Sequence, residues 1–177
     1  MCATQAEALA AAEADLWKAL RSGKHIALMR HAIAPGTGDP AGFKLEDCST
    51  QRNLSVEGRA QATRIGARFR AHGIEAARIF SSQWCRCLET ARLLGLGPVE
   101  ALPLLNSFFA SSEQGEPQTQ ALRRWLAAHE FEMPLVLVTH QVNITALTGV
   151  YPASGEMVVI GRSETGEVTV AGTIAAD

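Results

Sequence analysis

The chain has 177 residues, of which 47% are hydrophobic and 19% charged, and its formal net charge is −2. That length allows one domain with a sizeable core. The arginines are dispersed rather than clustered, which argues against nucleic acid or an acidic membrane as partner, and no apolar stretch is long enough to span a bilayer.

Residues 5–21 are alanine-rich, with Leu9, Leu16, Trp17 and Leu20 at helical spacing. They predict an amphipathic helix with Trp17 in the core. Gly23 ends that helix, and the run Ile26-Ala27-Leu28-Met29 predicts a strand buried on both faces that reaches about His31. Residues 32–53, with Pro35, Gly36, Gly38, Pro40 and Gly42, form a loop long enough to be a lid or a binding loop. Ser55 is a good N-cap for a helix running to about His72 and closed by Gly73, with His72 as a surface cap residue. A strand at 77–81 leads into a helix at 84–94, which Gly95 and Gly97 terminate. Then come a strand at 98–104, a loop at 105–116, a helix at 117–130 and a second buried strand, 135–139, ending at His140. A short helix at 142–149 and a two-stranded segment, 156–162 and 167–173 with its turn at Gly166, close the chain. Strands alternating with helices predict a three-layer α/β/α sandwich around a mostly parallel sheet. It is expected to be one domain over 1–177, with the helix of 1–22 packed on it.

The chemistry-bearing residues follow the strands. Arg30-His31 leaves the first strand, His140 leaves the strand at 135–139, and Ser81-Ser82 ends the strand at 77–81, with Arg86 one helical turn later. In a parallel α/β sheet ligands bind outside the carboxyl ends of the strands. A single histidine at such a place is ordinarily structural, but four cationic or basic side chains at equivalent strand ends form a set. Two arginines beside two histidines suit a dianion, most simply a phosphoryl group. Thr37, Ser82 and Asn143 are further candidate phosphate contacts. A metal held by His31 and His140 with Asp39 or Glu156 is the chemical rival. The arginines would repel a cation, and the five histidines lack HxH or HxxxH spacing. Neither a metal nor another cofactor is expected.

Four blocks carry a resemblance. Arg30-His31, the stretch Leu54-Ser55-Val56-Glu57-Gly58-Arg59-Ala60-Gln61-Ala62, the stretch Ser81-Ser82-Gln83-Trp84-Cys85-Arg86-Cys87-Leu88-Glu89-Thr90-Ala91, and Val138-Thr139-His140 resemble the histidine phosphatase (phosphoglycerate mutase-like) superfamily in order and spacing, over about residues 24–160. The resemblance implies that His31 is the nucleophile and is transiently phosphorylated, that Arg30, Arg86 and His140 hold the phosphoryl group, and that water releases phosphate. The chain departs from the family pattern at three places. Ala32 stands where Arg-His-Gly is common. His140-Gln141 replaces the His-Asp of one branch. Leu104-Leu105-Asn106-Ser107 offers an amide where the other branch has a glutamate after its third strand. The proton donor for the leaving group therefore falls to Asp39 or Glu156. A phosphomonoesterase is the leading reading. A phosphomutase of the same family and a non-catalytic phospho-ligand binding module are its rivals. The partner is expected to be a phosphorylated small molecule, with Phe43, Trp84, Phe108 and Phe109 as an apolar wall.

In the resembled fold the starts of the helices near Ser55 and Arg86 share the catalytic edge. This implies that Cys48 bridges Cys85 or Cys87, with Cys85 preferred because Cys87 lies on the inward side of Arg86. Such a bridge would point to the periplasm or the exterior, whereas three reduced thiols would suit the cytosol. No secretory signal is visible, and Met1-Cys2-Ala3 reads equally as a native start or as a methionine added to a trimmed mature chain.

Overall fold

The computed structural model describes residues 5–130, 132–163, 165 and 167–176. Gly166 and Met1-Cys2-Ala3 lie outside the described residues. The elements in chain order are α1 (Gln5–Arg21), β1 (Ile26–Arg30), α2 (Val56–Ala71), β2 (Arg78–Ser81), α3 (Cys85–Leu94), β3 (Val99–Ala101), α4 (Gly115–Ala128), β4 (Leu135–Thr139), α5 (Gln141–Thr148), β5 (Met157–Arg162) and β6 (Val168–Ile174).

The strands form one sheet in the order β3-β2-β4-β1-β5-β6. The first four are parallel, and β5 and β6 continue the sheet antiparallel. Period-two alternation makes three layers of it. Ala27 and Met29 of β1, Val136 and Val138 of β4, and Met157 and Val159 of β5 face one side, where Trp17, Leu20, Ile65, Phe69, Ala91 and Leu94 of α1, α2 and α3 cover them. The intervening residues Ile26, Leu28, Leu135, Leu137, Val158 and Ile160 face the other side, under Leu122 and Leu126 of α4 and Ile144 and Leu147 of α5. A strand covered on both faces is apolar throughout, which is why β1 and β4 read as unbroken runs.

The helix boundaries follow their caps. Ser55 accepts a hydrogen bond from Gly58 N at 3.0 Å and starts α2. His72 is the C-cap of α2, with Gly73 beyond it at φ +77°. The His72 ring stacks on buried Trp17, with centroids 4.5 Å apart, so the surface cap is also a lid on the core. Two elements differ from expectation by more than one residue. The strand expected over 98–104 is only Val99–Ala101, because Pro103 has no N–H to give a ladder and opens a 3-10 turn, Pro103–Leu105, instead. The helix expected from 117 starts at Gly115, against which the Phe108 ring packs.

Helix α2 lies close on both of its neighbours. A Cβ at Gly66 would stand 2.1 Å from Leu94 O, and one at Gly58 would stand 2.0 Å from Ile33 O. An alanine ordinarily stabilises a helix interior relative to glycine by about 0.5–1 kcal/mol. Gly66→Ala is expected to do the reverse here, destabilising by about 1–3 kcal/mol through overpacking. Urea denaturation measures it, and a stabilised variant would refute the close α2–α3 approach.

Candidate active site

The carboxyl ends of β1, β2 and β4 open into a cleft of about 1000 Å³ whose lining includes Arg30, His31, Arg86 and His140. The segment after β1 is held from every side. His31 N donates to Thr139 O, Ala32 N to Thr90 Oγ1, and Ile33 N to Gln61 Oε1, while Ile33 O accepts from Ser55 N. Gln61 donates in turn to Ser154 O, and Thr90 donates to Arg86 O. Thus Ser55, Gln61 and Thr90 orient the residues that carry the charge. Ala32 is fully buried against Leu54 and Ala62 and has no positive φ, so the position accepts a methyl group.

His31 is 3% exposed. Its Nδ1–H donates to the Ala32 carbonyl at 2.8 Å, which leaves the Nε2 lone pair free. Burial pushes its pKa down to about 3; the Ala32 bond opposes this, and the charges of Arg86, Arg30 and Arg52 add to it. The ring is therefore neutral at physiological pH. The His140 ring lies 5.5 Å from it, edge to face. Burial, then His31, then Arg86 hold His140 well below its ordinary value. Arg86 can only donate, so its contact with His140 Nδ1 at 3.5 Å makes that nitrogen the acceptor. Nε2–H then donates to Ser82 Oγ at 2.9 Å, and Ser82 Oγ–H donates to Asn106 Oδ1 at 3.3 Å.

Asp39 is the carboxylate of the cleft lining. It accepts from Arg86 Nη1 at 2.7 Å and Nη2 at 3.1 Å, and from Trp84 Nε1 at 3.0 Å. Burial raises its pKa, but the bonds from Arg86 and Trp84 outweigh burial and hold the carboxyl below its usual value. The two ends of the Arg86–Asp39 pair are 3% and 10% exposed. Arg30 Nη1 donates to Pro152 O, and the Nε atoms of Arg30 and Arg86 are buried without a partner among the described residues.

The expected site residues fall into two groups. Arg30, His31, Thr37, Asp39, Arg86 and His140 share the cleft. Ser82 and Asn143 do not line it. Ser82 backs His140, and buried Asn143 donates to Asn106 O at 2.8 Å. Glu156 does not line the cleft either: its backbone carbonyl accepts from Arg30 N, and its carboxylate accepts from Ala153 N at 2.7 Å. Phe43, Trp84 and Phe109 line the cleft, whereas Phe108 packs on Gly115. Sequence reasoning missed Arg52, a third arginine of the lining, held by the carbonyls of Gly38 and Ala34. Its one sequence signal is its place three residues before the Ser55 cap, where the chain returns to the catalytic edge. Among the described residues no three His, Cys, Asp or Glu side chains converge as a metal site.

A disulfide joins Cys48 to Cys85 across a Cα separation of 5.7 Å. Gln51 reinforces this junction, accepting from Cys85 N at 3.0 Å and donating to the carbonyls of Lys44 and Leu45. The bridge thus ties the segment carrying Arg52 to the first turn of α3, beside Arg86. Cys87 is a buried free thiol, pushed up to about 12 by burial, and it touches His140 Nε2 at 3.4 Å. Among the described residues no helix is long and apolar enough to cross a membrane.

Fold and site together define an α/β sandwich with an arginine-lined cleft at the carboxyl edge of its sheet. Residues 26–115 match the family model of the histidine phosphatase superfamily, branch 1, and the chain belongs to that superfamily. Solved structures share the fold at low identity. The protein histidine phosphatase SixA complexed with tungstate is 15% identical, with a TM-score of 0.61 over 86% of this chain and 97% of that one. A mycobacterial glucosyl-3-phosphoglycerate phosphatase is 16% identical, with a TM-score of 0.59 over 83% and 96% of the two chains. A phosphoserine phosphatase of Entamoeba histolytica, in complex with 3-phosphoglyceric acid, is 13% identical, with a TM-score of 0.60 over 85% and 96%. A comparison with curated proteins yields no match.

Two predictions follow from this geometry. A histidine whose pKa is lower folded than unfolded binds fewer protons when folded, so acid favours the unfolded chain. For His31 the window runs from the ordinary 6.5 down to about 3. Stability of the ligand-free protein should fall as pH drops through it, by about 1.4 kcal/mol per pH unit for that ring. His31→Asn should flatten the slope by that amount. Urea midpoints at pH 6, 5 and 4, inside the window, test this, and an undiminished slope in the variant would assign the protons to other groups.

The double variant Cys48→Ser/Cys85→Ser should lose stability, by about 4 kcal/mol in the chain-entropy view of a loop this long. It should also bind vanadate several-fold more weakly, because Arg52 is no longer tied to α3. Calorimetry and vanadate titration of the folded fraction read the two effects. Undiminished vanadate binding would show that Arg52 keeps its place without the bridge.

Proposed function

We propose that the protein is a phosphomonoesterase that works through a phosphorylated His31. The observation that carries this reading is the neutral His31 ring, its tautomer set by the Ala32 carbonyl, in a cleft with three arginines. A neutral imidazole is a competent nucleophile at physiological pH. Nε2 attacks phosphorus, the bond from phosphorus to the leaving oxygen breaks, and that oxygen takes a proton. Water then attacks the phosphohistidine, the N–P bond breaks, and inorganic phosphate leaves. The equatorial oxygens carry the charge in flight, so positioning and electrostatic stabilisation supply most of the catalysis. The guanidinium groups of Arg30, Arg52 and Arg86 are suited to that task. An entering dianion also favours protonation of His140 at Nδ1, which turns an acceptor into a donor toward the phosphoryl group.

Asp39 is the proposed proton donor. In the ligand-free site its carboxyl is held below its usual value by Arg86 and Trp84. A phosphoryl group that takes Arg86 for itself removes that support and adds a negative neighbour, and both changes raise the Asp39 pKa. The proton it then acquires is available to the leaving oxygen. The ionised, clamped state of Asp39 in the ligand-free site also favours a second reading, a non-catalytic module that binds a phosphorylated ligand. Incubation with p-nitrophenyl phosphate separates the two: turnover supports the esterase, and phosphate-competed binding without turnover supports the module.

His31→Ala should reduce turnover to below a few per cent while leaving the circular dichroism spectrum unchanged. Greater residual activity would exclude the phosphohistidine route. Arg86→Ala and Arg52→Ala should each weaken vanadate inhibition and slow turnover together. An arginine whose loss leaves vanadate inhibition intact does not face the anion. Asp39→Asn should slow an alkyl phosphate by about 10²–10⁴-fold and affect p-nitrophenyl phosphate far less, since that leaving group needs little protonation. Equal effects on both substrates would remove Asp39 as the donor.

A further inference from the structure

The charged side chains of the cleft form one cluster. Arg30, Arg52, Arg86 and Asp39 cluster with the two histidines, and the Arg86–Asp39 pair is the buried ion pair among them. In the ligand-free cleft three guanidinium groups and one carboxylate leave two positive charges, matching the charge of a single phosphoryl dianion. Among the described lining residues there is no further arginine, no lysine and no second carboxylate. The remaining polar side chains, including Ser107, Ser111, Gln141 and Thr145, are neutral.

The remainder of the wall is apolar. Trp84 stands edge-on to His140 with centroids 5.4 Å apart and meets Phe43 at 5.5 Å, so an aromatic surface begins at the phosphoryl end and continues into the loop at 36–43. Val142 and Ala146 of α5 add aliphatic surface. Phe109 and Tyr151 line the same cleft yet are 58% and 75% exposed. Large exposed aromatic side chains gathered at one cleft mark a place where an apolar group is received. A second anion reaching this region would find no further cation in the lining to pair with.

We infer that the cleft takes phosphomonoesters whose leaving group is uncharged and largely apolar, an aryl or alkyl group, and discriminates against phosphorylated acids and bisphosphates. The inference rests on the phosphoryl-binding reading given above. It also weighs against a phosphomutase acting on a phosphorylated acid, because the lining offers no cation to hold the acid while its phosphoryl group is exchanged.

The test pairs turnover with binding. Benzyl phosphate and 3-phosphoglycerate are compared as substrates, and benzylphosphonate and phosphonoacetate are compared as non-hydrolysable ligands by calorimetry at pH 7. At least a tenfold advantage in kcat/KM for benzyl phosphate is expected, with tighter binding of benzylphosphonate. Phe109→Ala and Tyr151→Ala should raise KM for benzyl phosphate about tenfold, the scale of one lost apolar contact, with inhibition by inorganic phosphate unchanged. Ser111→Lys should narrow the gap by improving 3-phosphoglycerate. Equal or better use of 3-phosphoglycerate overturns the inference and leaves the phosphomonoesterase reading standing. No turnover of either ester overturns that reading; benzylphosphonate binding more tightly than phosphonoacetate then still supports the inference, and equal binding overturns it.

Discussion

The site depends on three consecutive peptide units, those of His31, Ala32 and Ile33. Each N–H donates to a different partner: the β4 carbonyl of Thr139, the α3 hydroxyl of Thr90 and the α2 amide of Gln61. The carbonyl of Ile33 is taken by Ser55, and that of Ala32 by the His31 ring itself. Buried backbone groups must be satisfied, and here all of those named except the Ala32 carbonyl are satisfied by a residue from another part of the chain. The strand end is thereby fixed to β4, α3 and α2 at once. The same contacts give purpose to motif residues with no chemistry of their own. Gly58 exists without a side chain because Ile33 O occupies the space, and Thr90 grips both Ala32 and the Arg86 carbonyl.

Electrostatics then follows from burial. Two imidazoles placed among arginines and away from water stay uncharged, and their hydrogen bonds settle which nitrogen carries the proton. His31 turns Nδ1–H to the backbone, whereas His140 turns Nε2–H toward Ser82 and leaves Nδ1 facing Arg86. The rings thus have opposite tautomers, and each follows from the nearest fixed partner rather than from any property of histidine.

Much of this was legible in the sequence, because burial on both faces leaves a continuous apolar run and chemistry gathers where such a run ends. Arg30-His31 and His140 were found that way, and the Ser81-Ser82 strand end led to Arg86. The misplacements share a cause. Ser82 and Asn143 are on the correct segments, but strand or helix phase decides which way a side chain turns: Ser82 turns to His140 and Asn143 to the Asn106 carbonyl. Arg52 comes from an irregular segment with no period to read, and only the packing of that segment against α3 brings it to the cleft. Phe108 and Phe109 are adjacent, and nothing local distinguishes the one on Gly115 from the one on the cleft. Tyr151 and the side of α5 that carries Val142 and Ala146 escaped for the same reason. The strand expected over 98–104 stops at Ala101 because Pro103 denies the ladder its N–H.

The pairing of Asp39 with Arg86 gives the ligand-free cleft a counter-ion of its own. Any oxyanion that enters must compete with a carboxylate that is covalently part of the wall, present at the high effective concentration that tethering confers, and aided by Trp84. That competition weakens every oxyanion in common. It weighs most on one that has nothing but oxygens to offer, such as free phosphate or sulfate, and least on one that brings additional contact surface. A cleft built this way empties readily of small bare anions, and ambient salt has little further screening to do at a pair that is already buried and neutral as a whole.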